Sequence, residues 1–254
     1  MIEAPSEQRR ERDSGGVHMD RVSHSFPGRR GTSVTALEGM SLSAAPGEIV
    51  AVVGPSGCGK STLLELLCGL QRPDAGKIES PPAALMPQRD LLLPWLSALD
   101  NATLALRLGG ASRAAAREVA APWLERFGLG GFAQARPNEL SGGMRQRVSF
   151  LRTLLAGKPV LALDEPFAAL DAITRAEMQG WLAETLSEEP RTVVLVTHDV
   201  EEAAMLGDRV VVMSARPGRA IETIEIPLER PRRRTDPEVV ALRERALEAL
   251  GVTR

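Results

Sequence analysis

Three observations predict an α/β fold, with a mostly parallel sheet covered by helices on both faces. Short continuous apolar runs, such as 48–53 and 160–163, stand between glycines, prolines and charges, as buried parallel strands do. Stretches with apolar residues three and four positions apart separate those runs, which is helical spacing. The two patterns alternate along the chain, the order expected of βαβ units.

The elements follow in order. Residues 1–16 are polar, carry charges of both signs and read as a flexible tail. Val17, Met19 and Val22 bracket polar residues and lead to Phe26, predicting an edge strand. An arginine- and glycine-rich turn (27–31), a second strand (36–42) and a Pro46-Gly47 turn come next. The run 48–53 is a buried strand between Gly47 and Gly54, and 60–70 is a helix. Residues 90–139 are rich in alanine and leucine, with glycine breaks at 109–110 and 130–131, and predict a helical lobe. Helical spacing continues through Val148, Leu151, Leu154 and Leu155 and stops near Gly157-Lys158-Pro159. Strands at 160–163, 192–196 and 209–213 alternate with helices at 171–186 and 200–206. After Pro217-Gly218, residues 220–226 alternate like an edge strand. Arg230-Pro-Arg-Arg-Arg234 reads as a solvated linker, and 237–250 as an amphipathic helix with Val239, Leu242, Ala246 and Leu250 on one stripe.

Composition sets the outer bounds. With 254 residues, 43% hydrophobic and 25% charged, the chain can bury a core and is not disordered. A net charge of −2 argues against a nucleic-acid partner. No run approaches the roughly 18 apolar residues that cross a membrane, and no signal-peptide core opens the chain, so a soluble, cytoplasmic protein is expected. Two cysteines, Cys58 and Cys68, are too few for a disulfide scaffold and lack the second pair of a zinc site. Arginine outnumbers lysine 28 to 3, as GC-rich bacterial codon usage produces.

The chemistry lies in short strings. Gly54-Pro-Ser-Gly-Cys-Gly-Lys-Ser61 fits G-x-x-x-x-G-K-[ST] and falls between a predicted strand and helix, the context that pattern requires. Its glycines let backbone N–H groups turn around phosphate oxygens, and the following helix adds its positive end. Lys60 can reach the β- and γ-phosphates, and the Ser61 hydroxyl can ligate Mg²⁺. Val160-Leu-Ala-Leu-Asp-Glu-Pro166 is an apolar strand ending in two carboxylates. Asp164 can hold a magnesium-bound water there, and Glu165 can accept a proton from an attacking water. Leu140-Ser-Gly-Gly-Met-Arg-Gln-Arg147 opens a helix with a second anion-binding end. One nucleotide does not need two cradles, so the economical reading is that this one serves the nucleotide of another subunit.

At these residues the chain resembles the nucleotide-binding subunits of ATP-binding cassette (ABC) transporters, over roughly 17–216 and with the motifs in the family's order. The resemblance implies a P-loop NTPase (RecA-like) core, an antiparallel β edge subdomain and an inserted α-helical subdomain (about 90–157). A short extension, 217–254, follows. It implies that Gly54, Pro55, Ser56, Gly57, Cys58, Gly59, Lys60, Ser61 and Thr62 bind the phosphates, and that Phe26 packs against adenine. Gln88 matches the glutamine loop that senses Mg²⁺ and the water, and His198 the switch histidine on the γ-phosphate. Ser141, Gly142 and Gly143 match the signature facing the partner's nucleotide, with Met144 where glutamine is more usual. Ala169-Leu170-Asp171 matches the loop that runs across the dimer interface. Glu165, His198, Gln88 and Lys60 are then the catalytic set, Ser61, Gln88 and Asp164 the metal set, and ATP and Mg²⁺ the cofactors. Ala168 replaces a frequent serine or glycine, and Phe26 offers stacking without a polar tip.

One signature and one phosphate loop mean a single cassette. It is expected to work as a homodimer (an ATP sandwich) or a paired cassette, on the cytoplasmic face of the inner membrane. Its expected partners are integral membrane permease subunits and, indirectly, a periplasmic or lipoprotein substrate-binding protein. Asp90-Leu-Leu-Leu-Pro-Trp-Leu96, the string 164–175, Met178-Gln179 and Ser214-Ala-Arg-Pro-Gly-Arg219 resemble the nitrate, sulfonate and taurine importer ATPases, whose group includes importers of thiamine precursors. The segment 91–95 offers an apolar surface for a permease helix or else packs into the helical lobe. The rival readings are an exporter ATPase and a non-transport ABC ATPase such as an iron–sulfur assembly ATPase.

Overall fold

A computed structural model describes residues 16–28, 31–168 and 170–251. The tail at 1–15, Arg29 and Arg30 of the first turn, Ala169 of the interface loop and 252–254 lie outside the described residues.

Two sheets form. The larger has the order β5-β6-β7-β3-β8-β9, built from β3 (Ile49–Val53), β5 (Ala83–Met86), β6 (Val160–Asp164), β7 (Thr192–Thr197), β8 (Arg209–Met213) and β9 (Ala220–Glu225). The first five are parallel and β9 is antiparallel to β8. Every residue of β3, β6 and β7 is buried, which is why these strands read as unbroken apolar runs. Alternation sorts their side chains between two cores. Val50, Val52, Val160, Ala162, Val194 and Val196 pack with Leu63, Leu64 and Leu67 of helix α1 (Lys60–Leu67) and with the smaller sheet. On the other face, Ile49, Leu161, Leu163, Val193 and Leu195 meet the remaining helices.

The smaller sheet has the order β2-β1-β4, from β1 (Val17–Pro27), β2 (Ser33–Ala44) and β4 (Ala75–Glu79). The first strand is therefore its centre and not the expected edge. The neighbour that encloses it, Ala-Gly-Lys-Ile-Glu, has one large apolar residue and escapes a hydrophobicity reading. Its Gly76 is required: a Cβ there would lie 2.4 Å from the Arg21 carbonyl oxygen.

The helical lobe comprises α2 (Ala98–Ala102), α3 (Leu104–Leu108), α4 (Arg113–Arg126), two 3₁₀ turns (Gly130–Phe132 and Pro137–Glu139) and α5 (Gly142–Leu154). Helix begins at 98 and not at 90. Ser97 caps it, and Asn101 holds the preceding irregular segment by donating to the carbonyls of Leu93, Leu96 and Ser97 and accepting from Leu93 N–H. Buried Asp100 binds Arg113 at 2.5 Å and Arg117 at 2.9 Å. Burial alone would raise its pKa, but the two guanidinium partners hold it well below the usual carboxylate range. Phe127 stacks on Phe150 (5.8 Å) and tilts against Trp181 (4.6 Å), joining the lobe to α6 (Ala172–Glu188).

Helices α7 (Val200–Leu206) and α8 (Pro237–Ala249) complete the fold around Ala51, Val53, Val210, Val212 and Ile224. The arginine run between β9 and α8 is solvated only in part: Arg233 and Arg234 are exposed, but Arg230 and Arg232 are not. Arg232 is 7% exposed and donates to the carbonyls of Ala204, Gly207 and Leu228, while Arg230 donates to Leu206 O at 2.7 Å. Carbonyls left open at the end of α7 make this burial favourable for a cation.

Candidate functional site

Five parallel strands end on one edge of the large sheet, and the chemistry sits in the loops that leave that edge, where ligands of open α/β sheets bind. In strand order these carry Gln88 after β5, Glu165 after β6, His198 after β7, loop 54–61 after β3 and loop 214–219 after β8.

Loop 54–61 joins β3 to α1 as the sequence predicts. Gly57 (φ 74°) and Gly59 (φ 111°) adopt left-handed backbone that favours glycine, and a Cβ at Gly59 would lie 2.8 Å from Ala36 O. Lys60 is buried at the loop's base, where its ammonium donates to Gly54 O (2.8 Å) and Pro55 O (3.0 Å). Pro55, Ser56, Gly57 and Ser61 are exposed, Thr62 half-buried and Cys58 buried. A helix N-terminus favours a thiolate, but burial outweighs Lys60, the loop amides and Arg216, and raises the Cys58 pKa.

Asp164 is buried at the end of β6, with the Ser61 hydroxyl beside its carboxylate. Burial pushes this carboxyl's pKa up, the neighbouring Ser61 hydroxyl opposes the shift, and the Glu165 charge adds to it. A desolvated carboxylate beside a hydroxyl is a hard-oxygen donor set that suits Mg²⁺, whose charge would offset the cost of burial.

Glu165 takes φ 47°, an uncommon conformation for a non-glycine residue. Its carboxylate accepts from Gln88 Nε2 at 3.2 Å, and His198 Nδ1 lies 3.1 Å from the same oxygen. Three residues 77 and 33 positions apart thus converge on one atom, Glu165 Oε2. Behind them Thr197 Oγ1 donates to Glu202 Oε2 (3.1 Å) and accepts from Asp199 N–H (3.0 Å). Arg175 reaches Asp199 at 3.6 Å and Leu170 O at 3.2 Å. Burial pushes the Glu202 carboxyl up to about 8; Thr197 and Arg175 oppose the shift, and Asp199 and Glu165 reinforce it.

The other predicted residues lie elsewhere. Phe26 is half-buried at the end of β1 and meets the edge of the His24 ring at 4.8 Å. Ser141 caps α5 through Met144 N–H, next to Gly142 and Gly143. Among the described residues no hydrogen bond joins this end of α5 to loop 54–61. Gly143 instead faces the loop before α6, its Cβ position 3.5 Å from Leu170 Cδ2. Asp171 caps α6 by accepting from Ile173 and Thr174. Sequence reasoning missed Thr197, Arg175, Glu202, Gln146 and Arg216. Gln146 is buried on α5 and donates to Pro166 O at 3.0 Å, tying that helix to the carboxylate strand. Arg216 donates to Gly57 O at 2.9 Å. The available signal for Arg216 was topological: a loop after a strand neighbouring β3 must leave the sheet beside loop 54–61.

Comparison with known proteins gives the following. The family model described as ABC transporter matches residues 37–168. The taurine import ATP-binding protein TauB of Chromobacterium violaceum is 44% identical over 245 residues, covering 90% of this chain and 93% of that one. The nitrate import ATP-binding protein NrtD of Synechococcus elongatus is 42% identical over 254 residues, covering 94% and 92%. A solved dimeric ATP-binding cassette, in a post-hydrolysis state with ADP and Pi, superposes with a TM-score of 0.76 at 29% identity, covering 84% of this chain and 100% of that one.

Proposed function

The chain belongs to the ABC transporter family as an ATP-hydrolysing cassette, and from that premise we propose that it energises import of a small solute through separate membrane permease subunits. Glu165 carries the reading: one carboxylate, held by Gln88 and His198, stands at the sheet edge from which the phosphate loop emerges.

The residues divide the work. Backbone N–H groups of 54–62 and the Lys60 ammonium hold the β- and γ-phosphates, and Phe26 stacks on adenine. Ser61, Asp164 and Gln88 are the residues that would hold Mg²⁺, which supplies electrostatic stabilisation of the phosphates when bound. Glu165 Oε2 takes the proton of the attacking water, and Gln88 and His198 orient that oxygen. His198 also reaches the γ-phosphate. Ser141, Gly142, Gly143 and Asp171 act on the nucleotide of a second cassette, most simply a second copy.

The ATPase domain spans 17–216 with the helical subdomain at about 90–157, and 217–254 is an extension. Leu91 and Trp95, 59% and 69% exposed, are the surface offered to a permease. Among the described residues no helix is long and apolar enough to cross a membrane. Attachment through the permease therefore places the chain peripherally, on the cytoplasmic face. A substrate-binding protein delivers the solute, whose class is that of nitrate, sulfonates and taurine or of the thiamine precursors. The two relatives named for import favour this reading over an exporter or an iron–sulfur assembly ATPase.

The test uses Lys60→Ala with the co-purified permease in proteoliposomes. Loss of the ammonium should abolish hydrolysis, weaken nucleotide binding and stop solute uptake. Wild-type turnover in the variant would sink the site assignment. Hydrolysis by the wild type with no uptake of any solute of this class would sink the import reading.

A further inference from the structure

The loop Ser214-Ala-Arg-Pro-Gly-Arg219 has no part in the scheme above, yet it is built against the phosphate loop. Strands β3 and β8 run parallel with Val53 beside Val212, so the loops that follow them leave the sheet side by side. Arg216 Nε donates to Gly57 O at 2.9 Å. Gly218 presses on the next residue: a Cβ there would lie 2.2 Å from Cys58 O and 2.6 Å from Met213 Cε. Several bonds fix the loop in that position. Gly218 N–H donates to Ala36 O (2.9 Å), Glu38 N–H donates to Gly218 O (3.1 Å), and Arg219 pairs with Glu38 at 2.5 Å. Within the loop Ser214 N–H donates to Arg219 O (2.9 Å) and the Ser214 hydroxyl to Pro217 O (2.9 Å).

We propose that Arg216 is a positioning residue for ATP binding, holding the Gly57–Cys58 peptide in the orientation that the phosphate cradle needs. Gly57 stands at φ 74°, and glycine has the most backbone freedom to lose on ordering. A peptide unit is planar, so a carbonyl fixed by the guanidinium also fixes the direction of the Cys58 N–H, which donates to Pro55 O at 3.3 Å and keeps the loop curled until a phosphate oxygen takes that bond over. Preordering the loop lowers the cost of binding a triphosphate. The guanidinium is a charge-assisted donor and remains exposed, so removing it exposes no core and leaves no buried charge.

The inference rests on loop 54–61 being the phosphate site, and the experiment separates the two. Purified full-length Arg216→Ala, Arg216→Lys and Lys60→Ala are compared for the ATP dependence of hydrolysis and for melting without nucleotide. Arg216→Ala should raise KM for ATP by about tenfold, the scale of one charge-assisted hydrogen bond, with a much smaller change in kcat. Its nucleotide-free melting temperature should stay near that of the wild type. Arg216→Lys, which keeps a charged donor, should recover part of the loss. An unchanged KM, or a loss confined to kcat, overturns the proposal. So does a fall in nucleotide-free melting temperature that matches the loss of affinity, since that marks a merely structural brace. If Lys60→Ala still hydrolyses ATP, the phosphate-loop reading itself fails. If Lys60→Ala is inactive while Arg216→Ala keeps the wild-type KM, only the role of Arg216 fails.

Discussion

The two thiols show how placement decides a residue's chemistry. Cys58 lies within loop 54–61 but points into the core, 1% exposed, and Cys68, at the end of α1, is pushed up to about 11 from 9.0 by burial. Two pKa units reduce the thiolate fraction of Cys68 at pH 8 by about a hundredfold, while the greater nucleophilicity of a high-pKa thiolate returns part of it. Cys68 should therefore react with a thiol reagent at least about tenfold more slowly than a free cysteine, and Cys58 more slowly still. Both should titrate at once in urea. Rapid native labelling of either thiol would contradict its burial. The same distinction separates the site residues that were legible from those that were not. Lys60, Ser61, Asp164, Glu165 and Ser141 stand in short strings whose spacing carries the chemistry. Arg175, Gln146 and Arg216 act on the backbone carbonyls of Leu170, Pro166 and Gly57, and Thr197 on the carboxylate of Glu202. Contacts of this kind have no fixed separation along the chain and become visible only when the strands are placed side by side.

Among the elements, the buried parallel strands and helices were readable because each buries enough apolar surface to leave a period in the sequence. The expected and observed bounds of α7 and β8 coincide. Strands β4 and β5 escaped because one is mostly exposed and the other is only four residues after Pro81-Pro82. Within the 230–234 run, Arg230 and Arg232 depart from the solvated reading because a helix end presents carbonyls to them, while Arg233 and Arg234 are exposed. Helix α7 also carries a titratable load. In the folded protein Glu202 keeps its proton up to about pH 8, against an ordinary value of 4.5, with Asp199, Arg175 and Glu165 facing it. Between those values the folded state binds a proton that the unfolded chain has released, so stability contributed by the neutral carboxyl falls as pH rises and levels off above about 8. Glu202→Gln keeps an acceptor for the Thr197 hydroxyl but cannot ionise. Its urea midpoint should fall less than that of the wild type between pH 5 and 9, a range set by those two values. Histidine titrations common to both proteins cancel in that comparison. Parallel curves would refute the buried, neutral state of Glu202.

At the scale of the whole molecule, the two helix ends proposed to meet phosphate, those of α1 and α5, are not hydrogen-bonded to each other within one chain, among the described residues. The Ser141 end of α5 belongs to the helical lobe and abuts Leu170 of the loop before α6, while Lys60 and Glu165 lie on the sheet edge. A second cassette brings them together if the Ser141–Gly143 end of one copy closes on the nucleotide held by loop 54–61 of the other. In that arrangement ATP is the adhesive and hydrolysis is the release. Glu165→Gln keeps the shape of the side chain and its contacts with Gln88 and His198 but cannot take the water's proton. ATP should then bind and stay, and the variant should accumulate as a dimer in Mg²⁺ and ATP while the wild type, without its permease, remains mostly monomeric. Ser141→Arg added to that variant should remove the dimer, because a bulky side chain would obstruct the helix end that meets the partner's phosphates. Sizing chromatography with light scattering reads both outcomes. A Glu165→Gln protein that stays monomeric with ATP demonstrably bound would refute the sandwich, and one that hydrolyses at the wild-type rate would remove Glu165 as the base. A dimer that survives Ser141→Arg would place the contact between cassettes away from the end of α5, and the second anion-binding helix end would again need an explanation within a single chain.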